Sequence, residues 1–131
     1  MSSRDGIVKR ALLGEVIELP DGLVARFPEL RDATWRAGGL PPRVGGWFLG
    51  RSSVAAITLW RTVYLAPGVA PHAELLLHEL GHVRQFADSP LFPMRYLWES
   101  ARRGYSGNKF EHAAQAFAEA RLRSSNLPTH A

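Results

Sequence analysis

The stretch His78-Glu79-Leu80-Gly81-His82 constrains the fold of this chain more than any other feature. Residues four apart in an α-helix lie on one face, so the imidazoles of His78 and His82 can bind one metal ion if the segment is helical. Glu79 then lies about 100° round the helix, beside the metal, where a general base for a metal-bound water is needed. The motif therefore predicts a helix that carries a catalytic metal site.

The composition fits a single domain and narrows the choice of metal. A chain of 131 residues can build one hydrophobic core but is too short for two. It contains no cysteine, which excludes a disulfide framework and a thiolate metal site. Histidine and carboxylate ligands are more common in catalytic zinc sites than in structural ones. We therefore expect Zn²⁺ as the cofactor of one domain that spans residues 1–131.

Charge and hydropathy indicate the surroundings of the protein. No stretch approaches the ~20 apolar residues of a membrane span, and residues 1–6 lack the apolar core of a secretory signal. We therefore predict no membrane span and a cytoplasmic location, although non-classical export would leave no such signal. The net charge of +4 comes from arginines scattered along the chain, without a nucleic-acid-binding motif. Binding to nucleic acid is therefore not favoured.

The pattern of residue types divides the chain into a strand-rich part, residues 1–70, a helical part, residues 71–124, and a tail, residues 125–131. Residues 16–19, 45–50, 55–60 and 62–66 are typical of short strands, and residues 23–30 of a short helical turn interrupted by Pro28. Helices are predicted from Pro71 to about Ala87, from Met94 to Arg103 and from Lys109 to Ser124, the last with Asn108 as its N-cap. Strands followed by helices predict an α+β fold, with a small mixed or antiparallel N-terminal sheet packed on two or three helices.

Two features of the helical part bear on packing. Gly81 lies inside the metal helix, where glycine costs about 1 kcal/mol relative to alanine, which suggests close approach by another element. The apolar and aromatic stretch 90–98 is interpreted mainly as core, with a substrate-pocket wall or a partner surface as the alternative.

A zinc ion in a catalytic site usually has three protein ligands, so a third ligand is needed. The downstream candidates are Asp88, Glu99, Glu111, His112, Glu119 and His130. Glu111 is favoured because it opens an alanine-rich helical segment in which Ala114 and Ala118 can press against the metal helix. The alternative is that Glu111 only stabilises the N-terminus of its helix.

These residues resemble the gluzincin clan of metallopeptidases. The similar segments are His78-Glu79-Leu80-Gly81-His82-Val83-Arg84-Gln85, Gly104-Tyr105, Asn108 and Phe110-Glu111-xx-Ala114. They are closest to the minimal bacterial metallopeptidases with HEL-x-HV-x-Q followed by N-x-[FY]-E-x-x-A. The chain is less similar to the ImmA/IrrE metallopeptidases, which share the HELGH core. The resemblance covers roughly residues 55–120.

The resemblance implies a minimal zincin-like core with the HExxH motif on the active-site helix. It implies His78, His82 and Glu111 as zinc ligands, Glu79 as catalyst, and an edge strand near residues 58–65 that receives an extended peptide substrate. The chain has little outside this core, so a partner protein is a candidate for substrate recognition. Tyr105 and His112 are candidates to stabilise the oxyanion because they lie near Glu111 in sequence; packing at a helix end is the alternative for Tyr105.

The expected function is therefore zinc-dependent hydrolysis of peptide bonds, which would make the protein a metalloprotease. The alternative is a catalytically inactive zinc-binding interaction module. An intact Glu79 argues against this alternative, because a purely structural metal site needs no general base.

Overall fold

The computed structural model describes residues 3–39, 41 and 55–126 and confirms the predicted α+β class. In chain order the described elements are α1 (Ser3–Leu13), β1 (Glu15–Val16), α2 (Asp21–Arg26), a 3₁₀-helix (Pro28–Asp32), β2 (Thr34–Ala37), β3 (Ala56–Leu59), β4 (Thr62–Leu65), α3 (Ala73–Asp88), α4 (Phe92–Arg103) and α5 (Lys109–Ser125). The strand predicted over residues 45–50 lies outside the described residues.

The described strands form one mixed sheet in the order β1-β2-β4-β3. β2 and β4 are parallel, whereas the β1–β2 and β4–β3 pairs are antiparallel. β3 and β4 form a tight hairpin, in which Leu59 pairs with Thr62 and Trp60 adopts a φ of 56°. β3 is thus an edge strand of the sheet as far as the structure describes it. This strand lies against α3, the helix that carries the HExxH motif.

The first half of the chain differs from its predicted pattern in two places. α1 was not predicted, because Gly6 and the β-branched Ile7 and Val8 disfavour a helix and the apolar side chains of Ile7, Val8 and Leu12 are exposed. They therefore mark no buried helical face. The strand predicted over residues 16–19 is confined to Glu15–Val16, and β2, which was not predicted, pairs with it.

The core forms where α3 packs on the sheet and on α5. Leu76, Leu77 and Leu80 of α3 are fully buried and pack this helix against the sheet. Their partners in the core are Leu19, Phe27, Leu30, Trp35, Val63, Leu65, Val83 and Ala118. This burial holds α3 in one orientation, with His78 and His82 facing α5.

Gly81 lies at a close approach of α3 and α5, as its place inside the helix suggested. A Cβ atom at Gly81 would lie 3.0 Å from Cα and 3.1 Å from Cβ of Ala114. Ala114 is buried and lies one turn after Glu111 on the same helix. The two small residues therefore let α5 come close enough to bring Glu111 to the histidines.

Gly81→Ala should destabilise the protein although alanine is the better helix former. The helical gain of about 1 kcal/mol is outweighed by overpacking against the α5 backbone, which typically costs about 1–3 kcal/mol. Gly22→Ala is the matched control: Gly22 lies in α2, and a Cβ there meets nothing within 4 Å. Urea denaturation should show opposite signs for the two variants. Equal stabilisation by both would contradict a close contact between α3 and α5.

Candidate metal centre

Three side chains from two helices converge at one point beside α3. One possible ligand atom from each of His78, His82 and Glu111 lies within 4.8 Å of the others. Nε2 of His78 is 3.1 Å from Oε2 of Glu111, and Nε2 of His82 is 2.7 Å from Oε1 of the same carboxylate. The structure therefore brings together the three ligands that the sequence suggested, and the group can hold a metal ion.

The start of α5 is anchored so that Glu111 points at the histidines. Asn108 is fully buried and caps α5, because its Oδ1 accepts a hydrogen bond of 2.8 Å from the Phe110 amide. Its Nδ2 donates to Oγ of Ser100 at 2.8 Å and to the Tyr96 carbonyl at 3.3 Å. The cap predicted at Asn108 is thus confirmed, and it ties the first turn of α5 to α4.

The ligand atoms suit zinc in number and chemical type. Two imidazole nitrogens and one carboxylate oxygen form a set that zinc uses in catalytic sites, with a fourth position for water or substrate. Zn–N and Zn–O bonds are about 2.0–2.2 Å long, so two ligands of one tetrahedral ion lie roughly 3.3–3.6 Å apart. Each imidazole nitrogen lies near one oxygen of the Glu111 carboxylate, at 3.1 Å for His78 and 2.7 Å for His82, and one ligand atom of each of the three side chains lies within 4.8 Å of the others.

Glu111 and the two histidines shift one another's pKa values. Burial by itself would lower the pKa of His78, but the hydrogen bond to Glu111 and the charge of Glu79 outweigh it and raise this pKa to about 9. The pKa of His82 is raised in the same way. Burial opposes ionisation of Glu111, yet its hydrogen bonds to both histidines hold its pKa well below the usual range. The positive charge of the protonated histidines stabilises the Glu111 carboxylate, and a bound metal cation would take over that role.

Stability of protein prepared without metal should fall between pH 6.5 and 9. The folded-state pKa of His78 lies above its value of 6.5 in the unfolded chain, so its contribution is complete below pH 6.5 and is lost as the pH rises through 9. The lowered pKa of Glu111 makes its own contribution complete above about pH 4.5 and lost towards lower pH. We expect His78 alone to account for a loss of about 2–3 kcal/mol by pH 9, and the raised pKa of His82 adds to the fall.

Urea denaturation of metal-free protein at pH 6 and pH 9 measures this difference. The same titration after Glu111→Gln is the control, because the variant lacks the carboxylate that raises the histidine pKa values. With zinc bound, the fall should vanish, since histidines bind metal in their neutral form. Equal stability of the metal-free wild type at both pH values would contradict the His78–Glu111 ion pair.

Glu79 is held by the edge strand rather than by another helix. Oγ1 of Thr58 on β3 lies 2.8 Å from Oε2 of Glu79 and 3.3 Å from its main-chain carbonyl. Both side chains are buried. Burial raises the pKa of Glu79, although the charges of His82 and His78 act in the opposite direction. This role of Thr58 was not predicted from the sequence, in which its signal is a polar residue between Ile57 and Leu59 in a short apolar strand.

Tyr96 contacts the ligand group and was also missed. Its hydroxyl donates to Oε1 of Glu111 at 3.0 Å, and burial together with the Glu111 charge raises its pKa. Phe92, Tyr96 and Glu99 share the inner face of α4, a helical spacing from which Tyr96 could have been recognised. Tyr105, the tyrosine chosen from sequence, is half-buried and contributes to the raised pKa of Tyr96. Its catalytic role stays a prediction.

The other candidate ligands have different surroundings. Glu99 is buried, but it pairs with Arg103 and accepts from the Lys109 amide. The ring of His112 contacts the Ser106 carbonyl at 2.6 Å, and Asp88 is exposed at the end of α3. The remaining two candidates are Glu119, which is exposed and accepts from Gln115, and His130, which lies outside the described residues.

The apolar stretch 90–98 was interpreted mainly as core, but only part of it is buried. Phe92 is buried and Tyr96 faces the metal centre. The opposite face of α4 and the residue before it present large exposed apolar side chains, namely Leu91, Met94, Leu97 and Trp98. Helical geometry separates the two sets, because Phe92 and Tyr96, four residues apart, share one face of α4, whereas Met94, Leu97 and Trp98 lie on the opposite face. None of the helices in the described part of the chain is long and apolar enough to cross a bilayer.

Comparison of the chain with protein-family models, curated proteins and solved structures gave no match. The function is therefore inferred from the geometry and chemistry of the site.

Proposed function

We propose that this protein is a zinc-dependent metallopeptidase of minimal gluzincin type. The observation that carries the proposal is the convergence of His78, His82 and Glu111 within ligand distance, with Glu79 next to His78 on the same helix. With two nitrogens and one oxygen as ligands, a zinc ion would keep the open position for water that a catalytic site requires. Glu79 supplies the general base that a structural site does not need.

The roles of the side chains follow from their positions. Zinc held by His78, His82 and Glu111 would lower the pKa of a bound water to about 7 and polarise a carbonyl group. Glu79 takes a proton from the attacking water and returns it to the leaving amine. Burial raises the pKa of Glu79, which makes it a better proton acceptor than a solvent-exposed carboxylate. Thr58 holds the carboxyl group of Glu79, and Tyr96 holds that of Glu111.

The proposed substrate is an extended segment of a protein or peptide that pairs with β3. Two observations support this: β3 is an edge of the described sheet, and its Thr58 contacts Glu79 directly. A peptide added to this edge would pass along the strand that holds the catalytic base. Main-chain pairing gives affinity with little sequence preference.

A second candidate function is an inactive zinc-binding interaction module. The exposed apolar face of α4, formed by Leu91, Met94, Leu97 and Trp98, favours contact with another protein. This face lies on the helix that supplies Tyr96 to the metal centre. If the protein is an active enzyme, this exposed face of α4 could instead bind the partner protein expected to supply substrate recognition.

Zinc-dependent cleavage of an unfolded polypeptide tests the proposal. The protein is stripped with a chelator, assayed, and assayed again after addition of one equivalent of zinc. We expect one zinc bound per chain and cleavage only with zinc present, with Glu79→Gln as the blank. Zinc binding without cleavage of any substrate in a diverse peptide library would favour the interaction module. A wild type that binds no zinc would overturn both functions.

A further inference from the structure

Each histidine of the metal centre contacts a glutamine side chain through Nδ1, the ring nitrogen that faces away from Glu111. Nδ1 of His78 lies 2.8 Å from Oε1 of Gln115, and Nδ1 of His82 lies 2.8 Å from Oε1 of Gln85. The opposite ring nitrogen, Nε2, faces Glu111 in both cases. The two rings therefore have the same outer contact, although Gln85 comes from α3 and Gln115 from α5.

Hydrogen bonds donated by the amide nitrogen of each glutamine fix the orientation of its side-chain amide. Nε2 of Gln85 donates to the Phe110 carbonyl at 2.9 Å. Nε2 of Gln115 donates to Oε1 of Glu74 at 2.7 Å and to Oε1 of Glu119 at 3.1 Å. Carbonyl and carboxylate oxygens only accept, so the amide nitrogen must face them and the amide oxygen must face the ring.

The tautomer of each histidine follows from this orientation. An amide oxygen cannot donate, so the Nδ1 atom beside it must carry the hydrogen. In a neutral imidazole the lone pair is then on Nε2, which is the atom that faces the metal position. Each glutamine thus selects the tautomer that can bind metal through Nε2 and restrains rotation of the ring.

We propose that Gln85 and Gln115 are positioning residues that prepare His82 and His78 to bind the metal. This inference rests on the proposed zinc site and deepens it. Outer hydrogen-bond partners of metal-binding histidines typically contribute about 10–100-fold to metal affinity. Gln85 should matter more, because it is linked to a main-chain carbonyl at the residue before Glu111, whereas the carboxylates that hold Gln115 are exposed.

Zinc affinity of four proteins tests the proposal: the wild type, Gln85→Leu, Gln115→Leu and Gln85→Glu. Leucine fills similar space but accepts no hydrogen bond, whereas glutamate keeps an acceptor for Nδ1–H. Competition with a chromogenic chelator should show zinc binding weakened about 10–100-fold by either leucine substitution. Gln85→Glu should restore part of the affinity that Gln85→Leu loses, because its carboxylate accepts from Nδ1–H of His82 although it cannot donate to the Phe110 carbonyl.

Imidazole ¹H–¹⁵N correlation spectra of the zinc-loaded wild type provide a readout that does not depend on affinity. Both histidines should retain a hydrogen on Nδ1 and bind metal through Nε2. Two results would overturn the inference: affinity within about twofold of wild type in both leucine variants, or a hydrogen on Nε2 of either ligand. These outcomes leave wild-type zinc binding intact, whereas failure of the proposed function would show as no zinc in the wild type.

Discussion

Glu111→Ala is expected to remove zinc from the protein, with the largest loss of affinity of any substitution considered. The Glu111 carboxylate lies between both imidazoles, 3.1 Å from His78 and 2.7 Å from His82. Loss of a direct ligand should exceed the ~10–100-fold cost of losing an outer hydrogen-bond partner. Zinc content per chain after gel filtration should fall from near one to near zero. Titration of each variant against a chelator should likewise show that Glu111→Ala weakens zinc binding more than Gln85→Leu or Gln115→Leu does.

Two further variants make this result interpretable. Glu111→Gln keeps the shape of the side chain and removes its charge, so it should also lose zinc if the carboxylate binds the metal. His112→Asn changes the neighbouring residue, whose ring contacts the Ser106 carbonyl, and it should keep zinc. Zinc retained in both Glu111 variants, with circular dichroism showing a folded chain, would place the third ligand elsewhere.

Glu79→Gln is expected to abolish peptide hydrolysis while leaving zinc content unchanged. An amide cannot take the proton from water, and loss of a general base typically lowers kcat about 10²–10⁴-fold. The amide oxygen at position 79 can still accept the hydrogen bond from Thr58, which lies 2.8 Å from Oε2 in the wild type. Stability should therefore change little. Cleavage rates at saturating substrate and zinc content measured on the same preparation separate catalysis from metal binding.

Asp88→Asn is the matched control for the change at position 79. It removes a carboxylate from the same helix at an exposed position near the end of α3, so kcat should stay within about twofold of wild type. Full activity of Glu79→Gln would exclude Glu79 as the base. A loss of zinc in Glu79→Gln would show instead that the residue supports the metal centre.

The helices of the second half could be predicted closely because their signals are local. Asn108 caps α5, and Gly104 follows the last residue of α4, as expected from the intrinsic preferences of these residues. The predicted start of the metal helix at Pro71 differs from the observed Ala73 by two residues, because His72 takes the N-cap position. α1 was missed because its exposed apolar residues give no amphipathic signal.

The sequence by itself determined the spacing of His78, Glu79 and His82 on one helix, since that geometry depends only on the helical repeat. Tertiary structure alone decided how Glu111, 33 positions beyond His78, reaches the same point. It did so through the contact between Gly81 and Ala114, where small side chains let the backbones approach. The contacts of Thr58, Tyr96 and the two glutamines also depend on packing between elements. A linear pattern records residue types but not the relative placement of helices and strands, which burial of the shared core sets.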